Sequence, residues 1–217
     1  AGYLAKKMGL PINKLIVATN DNDILHRAIS NGNYEVKKVF QTLAPSMDIQ
    51  IASNFERLIY DLNDFSDTET EKVMKEIKKT GKYKIPEDKI KKIKKDFLSA
   101  SLNEEEMKDI IRNLSLSSHN TSISEHNANP IIVDPHTAIG IGAIIKILKT
   151  NKDCGINIFA TVSLATAHPA KFPEAIRFAY GGAELPKELK HVMKEKENFN
   201  IINNNLAVVK SFILKNI

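Results

Sequence analysis

Four short stretches of the 217-residue chain carry side chains of the kinds that bind anions or move protons. The first sets Asn20, Asp21, Asn22 and Asp23 directly behind an apolar run. The second is Ser53-Asn54-Phe55-Glu56-Arg57, the third Asp134-Pro135-His136-Thr137, and the fourth Thr166-Ala167-His168, followed by Lys171. Ser53 and Glu56 stand at the spacing of a capping box, in which a hydroxyl and a carboxylate each satisfy a free backbone N–H at a helix start. That helix start is also an anion site, because its unpaired N–H groups and dipole favour negative charge, and Arg57 adds a planar fork suited to phosphate. Capping and anion binding are compatible. Thr166 and His168 lie between a β-capable run and a proline-led helix start at Pro169. This puts a hydroxyl and an imidazole at the carboxyl edge of a sheet, where α/β proteins hold ligands. A plain βα turn, with Thr166 satisfying loop backbone, accounts for the same spacing. Metal chemistry is not indicated, since the gaps between His119, His126 and His136 are not ligand spacing and the single Cys154 leaves no CxxC pair.

The elements that must position these groups follow from periodicity. Residues 14–19, KLIVAT, form a short continuous apolar run of the buried parallel-strand kind, and a helix begins at Ile24, capped by one of the polar side chains just before it. Residues 68–80, 87–100 and 103–113 show helical spacing of apolar residues, and residues 115–129, rich in Ser, His and Asn, read as a loop over the site. Strands are expected at 130–133, with Asp134, His136 and Thr137 at its carboxyl end, at 157–163, and at 199–203. Helices are expected at 138–149, 169–180, 187–196 and 206–215, with Gly140 and Gly142 allowing close packing. The βα alternation predicts an α/β fold with a doubly wound parallel sheet and a Lys-rich helical segment. The expected organisation is 1–63 as the first part of the α/β domain, 64–114 as the helical segment and 115–217 as the rest.

Apolar content of 42% and charged content of 26% are ordinary for a globular chain. No apolar run reaches the roughly 18 residues needed to span a bilayer, and no signal pattern opens the chain, so a cytoplasmic location is expected. The net charge of +5 is concentrated: residues 72–95 hold eleven lysines and three acidic residues, which leaves the remainder net negative. Such a run attracts nucleic acid or anionic surfaces. Only Arg27, Arg57, Arg112 and Arg177 carry the fork that reads bases, so a solvated lysine face is expected.

The stretch TAHPAKF, residues 166–172, closely resembles a signature of threonine synthase, a pyridoxal-phosphate enzyme of fold type II that turns O-phosphohomoserine and water into threonine and phosphate. ATNDNDIL (18–25), SMDIQIASNFER (46–57) and DPHTAIG (134–140) resemble three more of that family's motifs, in the family's order. The resemblance runs from Ala1 as far as Gly181, and departs at Ala52, where a serine or proline is commoner. It implies that Thr166 meets the pyridine nitrogen of the cofactor, and that Asn20, Asn22, Asp23, Ser53, Asn54 and Arg57 line the substrate and leaving-phosphate site. Asp134, His136 and Thr137 would lie at a neighbouring strand end, with His136 either relaying a proton or bonding a backbone carbonyl. His168 and Lys171 share the motif of Thr166. The family's Schiff-base lysine and glycine-rich phosphate loop lie upstream of a segment resembling AGYLAKKMGLP, with which this chain begins. The expectation is therefore a C-terminal portion with an incomplete sheet, inactive alone, that needs an N-terminal half to use pyridoxal phosphate and O-phosphohomoserine. No specific nucleic acid or membrane partner is expected. Two other readings stay open: a non-catalytic remnant of the same ancestry, and a nucleic-acid-binding module built on the lysine run.

Overall fold

The computed structural model describes residues 1–117, 131–151, 154–157, 160–191 and 194–217. Its elements in chain order begin with α1 (Gly2–Lys7), β1 (Leu15–Thr19), α2 (Ile24–Asn31), β2 (Asn33–Glu35), α3 (Phe55–Leu62), α4 (Asp67–Thr80) and β3 (Lys82–Lys84). They continue with α5 (Glu87–Asp96), β4 (Phe97–Ser101), α6 (Glu104–Ser117), α7 (Pro135–Thr150), α8 (Pro173–Tyr180) and α9 (Leu206–Lys215). Short 3₁₀ turns occupy Pro45–Met47, Pro169–Lys171 and Lys187–Leu189. Residues Ala1–Ala183 form one compact unit; Glu184–Ile217 form a second, which holds α9 with Asn205 as its N-cap.

In the first unit the LIVAT strand is satisfied by a parallel partner, β4, in the register Leu15 opposite Phe97 to Thr19 opposite Ser101. Side chains alternate across a strand, and here both faces are covered. Ile16, Ala18, Leu98 and Ala100 pack into a core built with Met107 and Ile111 of α6, Ile139 and Ala143 of α7 and Ile176 of α8. Val17 and Phe97 pack on the other side, against a core of Ile24 and Ala28 from α2, Phe55 and Ile59 from α3, Ile77 from α4 and Ile93 from α5. Helices on both faces of a parallel pair are the layering of α/β proteins. The architecture is mixed α/β, rich in helix, with a small parallel sheet; β2 and β3 form a separate antiparallel pair.

Several local expectations change. The helix expected over 87–100 stops at Asp96, and Phe97–Ser101 is instead the strand that partners β1. Periodicity alone does not separate a short apolar strand from a helix end. Residues 131–133 and 199–203, read as strands, take no regular structure, and none of the described residues within 157–163 is in a strand. A strand needs a hydrogen-bonding neighbour, and among the described residues only β1 with β4 and β2 with β3 pair. Ile132 and Val133 still pack against the core, so their hydrophobicity reports burial. The helix expected over 169–180 breaks at Phe172 into a 3₁₀ turn and α8, and no α-helix occurs among the described residues of 187–196, where Lys187–Leu189 is a 3₁₀ turn. Of the expected loop, the first residues belong to the end of α6; the rest, with His119 and His126, lies outside the described residues.

The lysine run falls on α4, β3 and α5. Lys72, Lys75, Lys82 and Lys92 pair with Glu69, Glu71, Glu35 and Asp64, and Lys84 and Lys89 donate to Asn33 and Asn63. Gly81, at φ 70°, takes the left-handed conformation that ends α4 and leads into β3. Among the described residues no helix is long and apolar enough to cross a membrane, and no group of three metal-ligating side chains occurs.

Candidate functional site

β1 ends at Thr19, and the two asparagines that follow are almost wholly buried. A buried amide must find partners, and both find them on residues 40–48. Asn20 Nδ2 donates to Asp48 Oδ1 at 2.7 Å and to Thr42 Oγ1 at 2.9 Å. Asn22 exchanges two bonds with the backbone of Phe40, each of 2.9 Å, and adds a third to Asp48 Oδ1 at 3.0 Å. Thr42 donates its own N–H and hydroxyl to the same carboxylate. Asp48 is therefore the hub of the turn. Nothing in its local sequence signals this, since its partners lie 6 to 28 residues away. Asp23 pairs with Arg27 Nε one helical turn on, at 2.8 Å, and Arg27 reaches on to the Glu35 carbonyl. Asp21 stands among Glu104, Glu106, Asp23 and Asp48; partial burial, then these like charges, raise its pKa.

The turn held by Asn20 leads directly to α7. Ser46 donates its backbone N–H to His136 Nε2 at 3.1 Å, across 90 residues of sequence. Asp134 is the N-cap of α7, with Pro135 at the first helical position. Its Oδ1 accepts from the backbone N–H and ring Nδ1 of His136, at 3.0 and 2.9 Å, and its Oδ2 accepts the Thr137 hydroxyl. Burial raises the Asp134 pKa, but the bonds from Thr137 and His136 outweigh it and the net direction is down. Thr137 Oγ1 in turn accepts the backbone N–H of Thr166 at 3.2 Å. Asp134, His136 and Thr137 thus open a helix instead of closing a strand.

The remaining predicted residues sit at the surface. α3 starts at Phe55 with Asn54 as N-cap and no side-chain cap bond, so the Ser53–Glu56 capping box does not form. The bonds that hold this helix entry come from elsewhere: Ala52 N–H donates to the Tyr34 hydroxyl, and the Tyr34 ring stacks on Phe55 at 4.5 Å. Ser53, Asn54 and Arg57 are exposed, and the Arg57 guanidinium has no ion-pair partner among the described residues. Thr166 is exposed, and its hydroxyl has no hydrogen-bond partner among the described residues. His168 accepts the Ala170 N–H at its Nδ1 and so caps the Pro169–Lys171 turn. Lys171 lies over the Phe172 ring, which packs edge-on to His136 at 4.7 Å.

All four motifs are brought into one hydrogen-bonded series: 18–25 to 46–57 through Asp48, then to 134–140 through Ser46 and His136, then to 166–172 through Thr137. No hydrogen bond links Ser53, Asn54 or Arg57 to Thr166 among the described residues.

Residues 137–213 match the family model described as threonine synthase, C-terminal. The chain is 36% identical over 216 residues to the threonine synthase of Pseudomonas aeruginosa, and 38% identical over 234 residues to that of Saccharomyces cerevisiae. Each match takes in 98% of this chain but only 42% and 43% of the relative, so the chain spans less than half the length of these proteins. Among solved structures it is similar to pyridoxal-phosphate-bound threonine synthase from Brucella melitensis, with a TM-score of 0.76 at 36% identity, over 98% of this chain and 42% of that one. The yeast threonine synthase structure gives a TM-score of 0.78 at 37% identity, over 99% and 44%. The chain therefore belongs to the threonine synthase family and corresponds to its C-terminal portion.

Proposed function

We propose that this chain supplies the C-terminal part of a threonine synthase site, acting on O-phosphohomoserine with pyridoxal phosphate once the remainder of the enzyme is present, in the cytoplasm. The observation that carries this reading is the single hydrogen-bonded series through all four motifs. A free hydroxyl on a backbone pinned by Thr137 fits the ring nitrogen of the cofactor, so Thr166 is assigned there. When bound, pyridoxal phosphate supplies the electron sink for the reaction. A threonine hydroxyl does not protonate a pyridine nitrogen as a carboxylic acid does, so Thr166 moderates that sink while orienting the ring.

The substrate's phosphate is assigned to the start of α3. Ser53, Asn54 and Arg57 expose their polar side chains there, beside the positive dipole end of an eight-residue helix. Asn20, Asn22 and Asp23 act at this site chiefly by holding the turn that leads to it. The lysine that binds the cofactor and the phosphate loop are assigned to the remainder of the enzyme, so the chain alone is inactive.

The test is Arg57→Lys in the completed enzyme. Lysine keeps the charge and loses the bidentate fork, and charged hydrogen bonds are worth about 1.5–3 kcal/mol. A fall in kcat/KM of about 10- to 100-fold with unchanged folding is expected; unchanged kinetics with O-phosphohomoserine would remove Arg57 from the site.

A further inference from the structure

Asp134, His136 and Thr137 are each at least 95% buried, yet their bonds reach two segments distant in sequence, at Ser46 and Thr166. Proton accounting fixes their state. Three donors other than the ring, the backbone N–H groups of His136 and Thr137 and the Thr137 hydroxyl, hold the Asp134 carboxylate ionised, so the hydrogen between Asp134 Oδ1 and His136 Nδ1 lies on the ring. Nε2 accepts the Ser46 N–H and therefore carries no hydrogen. His136 is the neutral Nδ1–H tautomer. The Thr137 hydroxyl spends its proton on Asp134 and offers a lone pair to the Thr166 N–H.

A proton relay through His136 would need an exchangeable partner at each ring nitrogen. The partner at Nε2 is a backbone amide, which donates a hydrogen bond and gives up no proton at working pH. Asp48 ties the same turn to the end of β1 through Asn20, so the Ser46 bond joins two fixed frames.

We propose that Asp134, His136 and Thr137 are positioning residues: a buried clamp that fixes the Ser46 turn, which leads to α3 and Arg57, relative to the Thr166 loop, with His136 locked as the Nδ1–H tautomer. The inference deepens the proposed function and assigns the mutual placement of its two halves, the phosphate end and the ring-nitrogen end, to one helix start. The Phe172 ring, edge-on to His136, closes the remaining side of the imidazole. Lys171 and His168 take no part in the clamp: one lies over Phe172, the other caps its own turn.

The test begins on the 217-residue chain and needs no activity. In nitrogen-labelled protein, two-bond proton–nitrogen correlations of His136 should show Nδ1 protonated and Nε2 bare, and the Ser46 amide should be protected from hydrogen exchange. His136→Gln places an oxygen near the former Nε2 and should keep most of that protection. His136→Asn keeps a donor toward Asp134 but no acceptor at that reach, and should speed Ser46 exchange at least about tenfold. An Nε2–H tautomer, or an unprotected Ser46 amide in the unaltered chain, would overturn the proposal even if both variants fail to fold. In the completed enzyme, His136→Gln should retain the pH–rate profile with a lowered kcat. Loss of one limb of that profile would identify a relay and contradict a clamp. Failure of the exchange and tautomer measurements sinks the clamp alone; failure of the Arg57 test sinks the assignment of the phosphate end alone.

Discussion

Asp134 has both carboxylate oxygens occupied, and its lowered pKa makes a pH prediction whose sign is fixed. Its folded pKa lies below the ordinary 3.8, so its ionisation stabilises the fold above that pH. That contribution is lost as pH falls through the folded value. Thr137→Val removes a donor to a buried carboxylate, raises the folded pKa and should cost about 1.5–3 kcal/mol near neutrality. Acid unfolding should then begin at higher pH, while Thr137→Ser should restore the original onset; circular dichroism against pH measures both. Resemblance located Asp134, His136 and Thr137 in the sequence, yet their roles were not legible there. His136 bonds a backbone N–H, not a carbonyl, and the partner lies 90 residues upstream. Asp48 was missed as a hub for the same reason, since four donors from Asn20, Asn22 and Thr42 meet it only after folding.

At the scale of elements, α7 carries the clamp at its start and packs on α6 through Gly142. A Cβ there would lie 2.2 Å from Leu102 Cδ2 and 3.0 Å from Ile110 Cγ1, and Leu102 is itself buried. Gly142→Ala should therefore destabilise by about 1–3 kcal/mol through overpacking. Among the described residues Gly140→Ala meets only Ser163 Oγ, at 3.0 Å, on a side chain that can rotate away. Better helix propensity, worth up to about 1 kcal/mol, should make that change neutral or stabilising. Denaturant midpoints of the two variants compare them directly. Sequence periodicity located α4, α6, α7 and α9 because each is long enough to repeat its apolar stripe or carries a clear cap. It misread residues 97–101, whose five apolar and small residues continue the stripe of α5 by chance of spacing but pair with β1. It also read 130–133 as a strand, because burial of Ile132 and Val133 leaves the same apolar signature whether or not a neighbour pairs with the backbone.

For the whole molecule, the layering was legible from one strand and the helices around it: residues 16 and 18 of β1 face one core and residue 17 the other. The extent of the sheet was not: of the strands expected at 130–133, 157–163 and 199–203, none pairs with a neighbour among the described residues. On the proposed function, these four motifs form one portion of a threonine synthase site. Phosphate release from O-phosphohomoserine tests it most directly, measured with pyridoxal phosphate for the chain alone and for the chain assembled with the remainder of the enzyme. Turnover by the assembly and none by the chain alone is the expected result. An assembly that binds pyridoxal phosphate yet releases no phosphate, or equal turnover by the isolated chain, would contradict it.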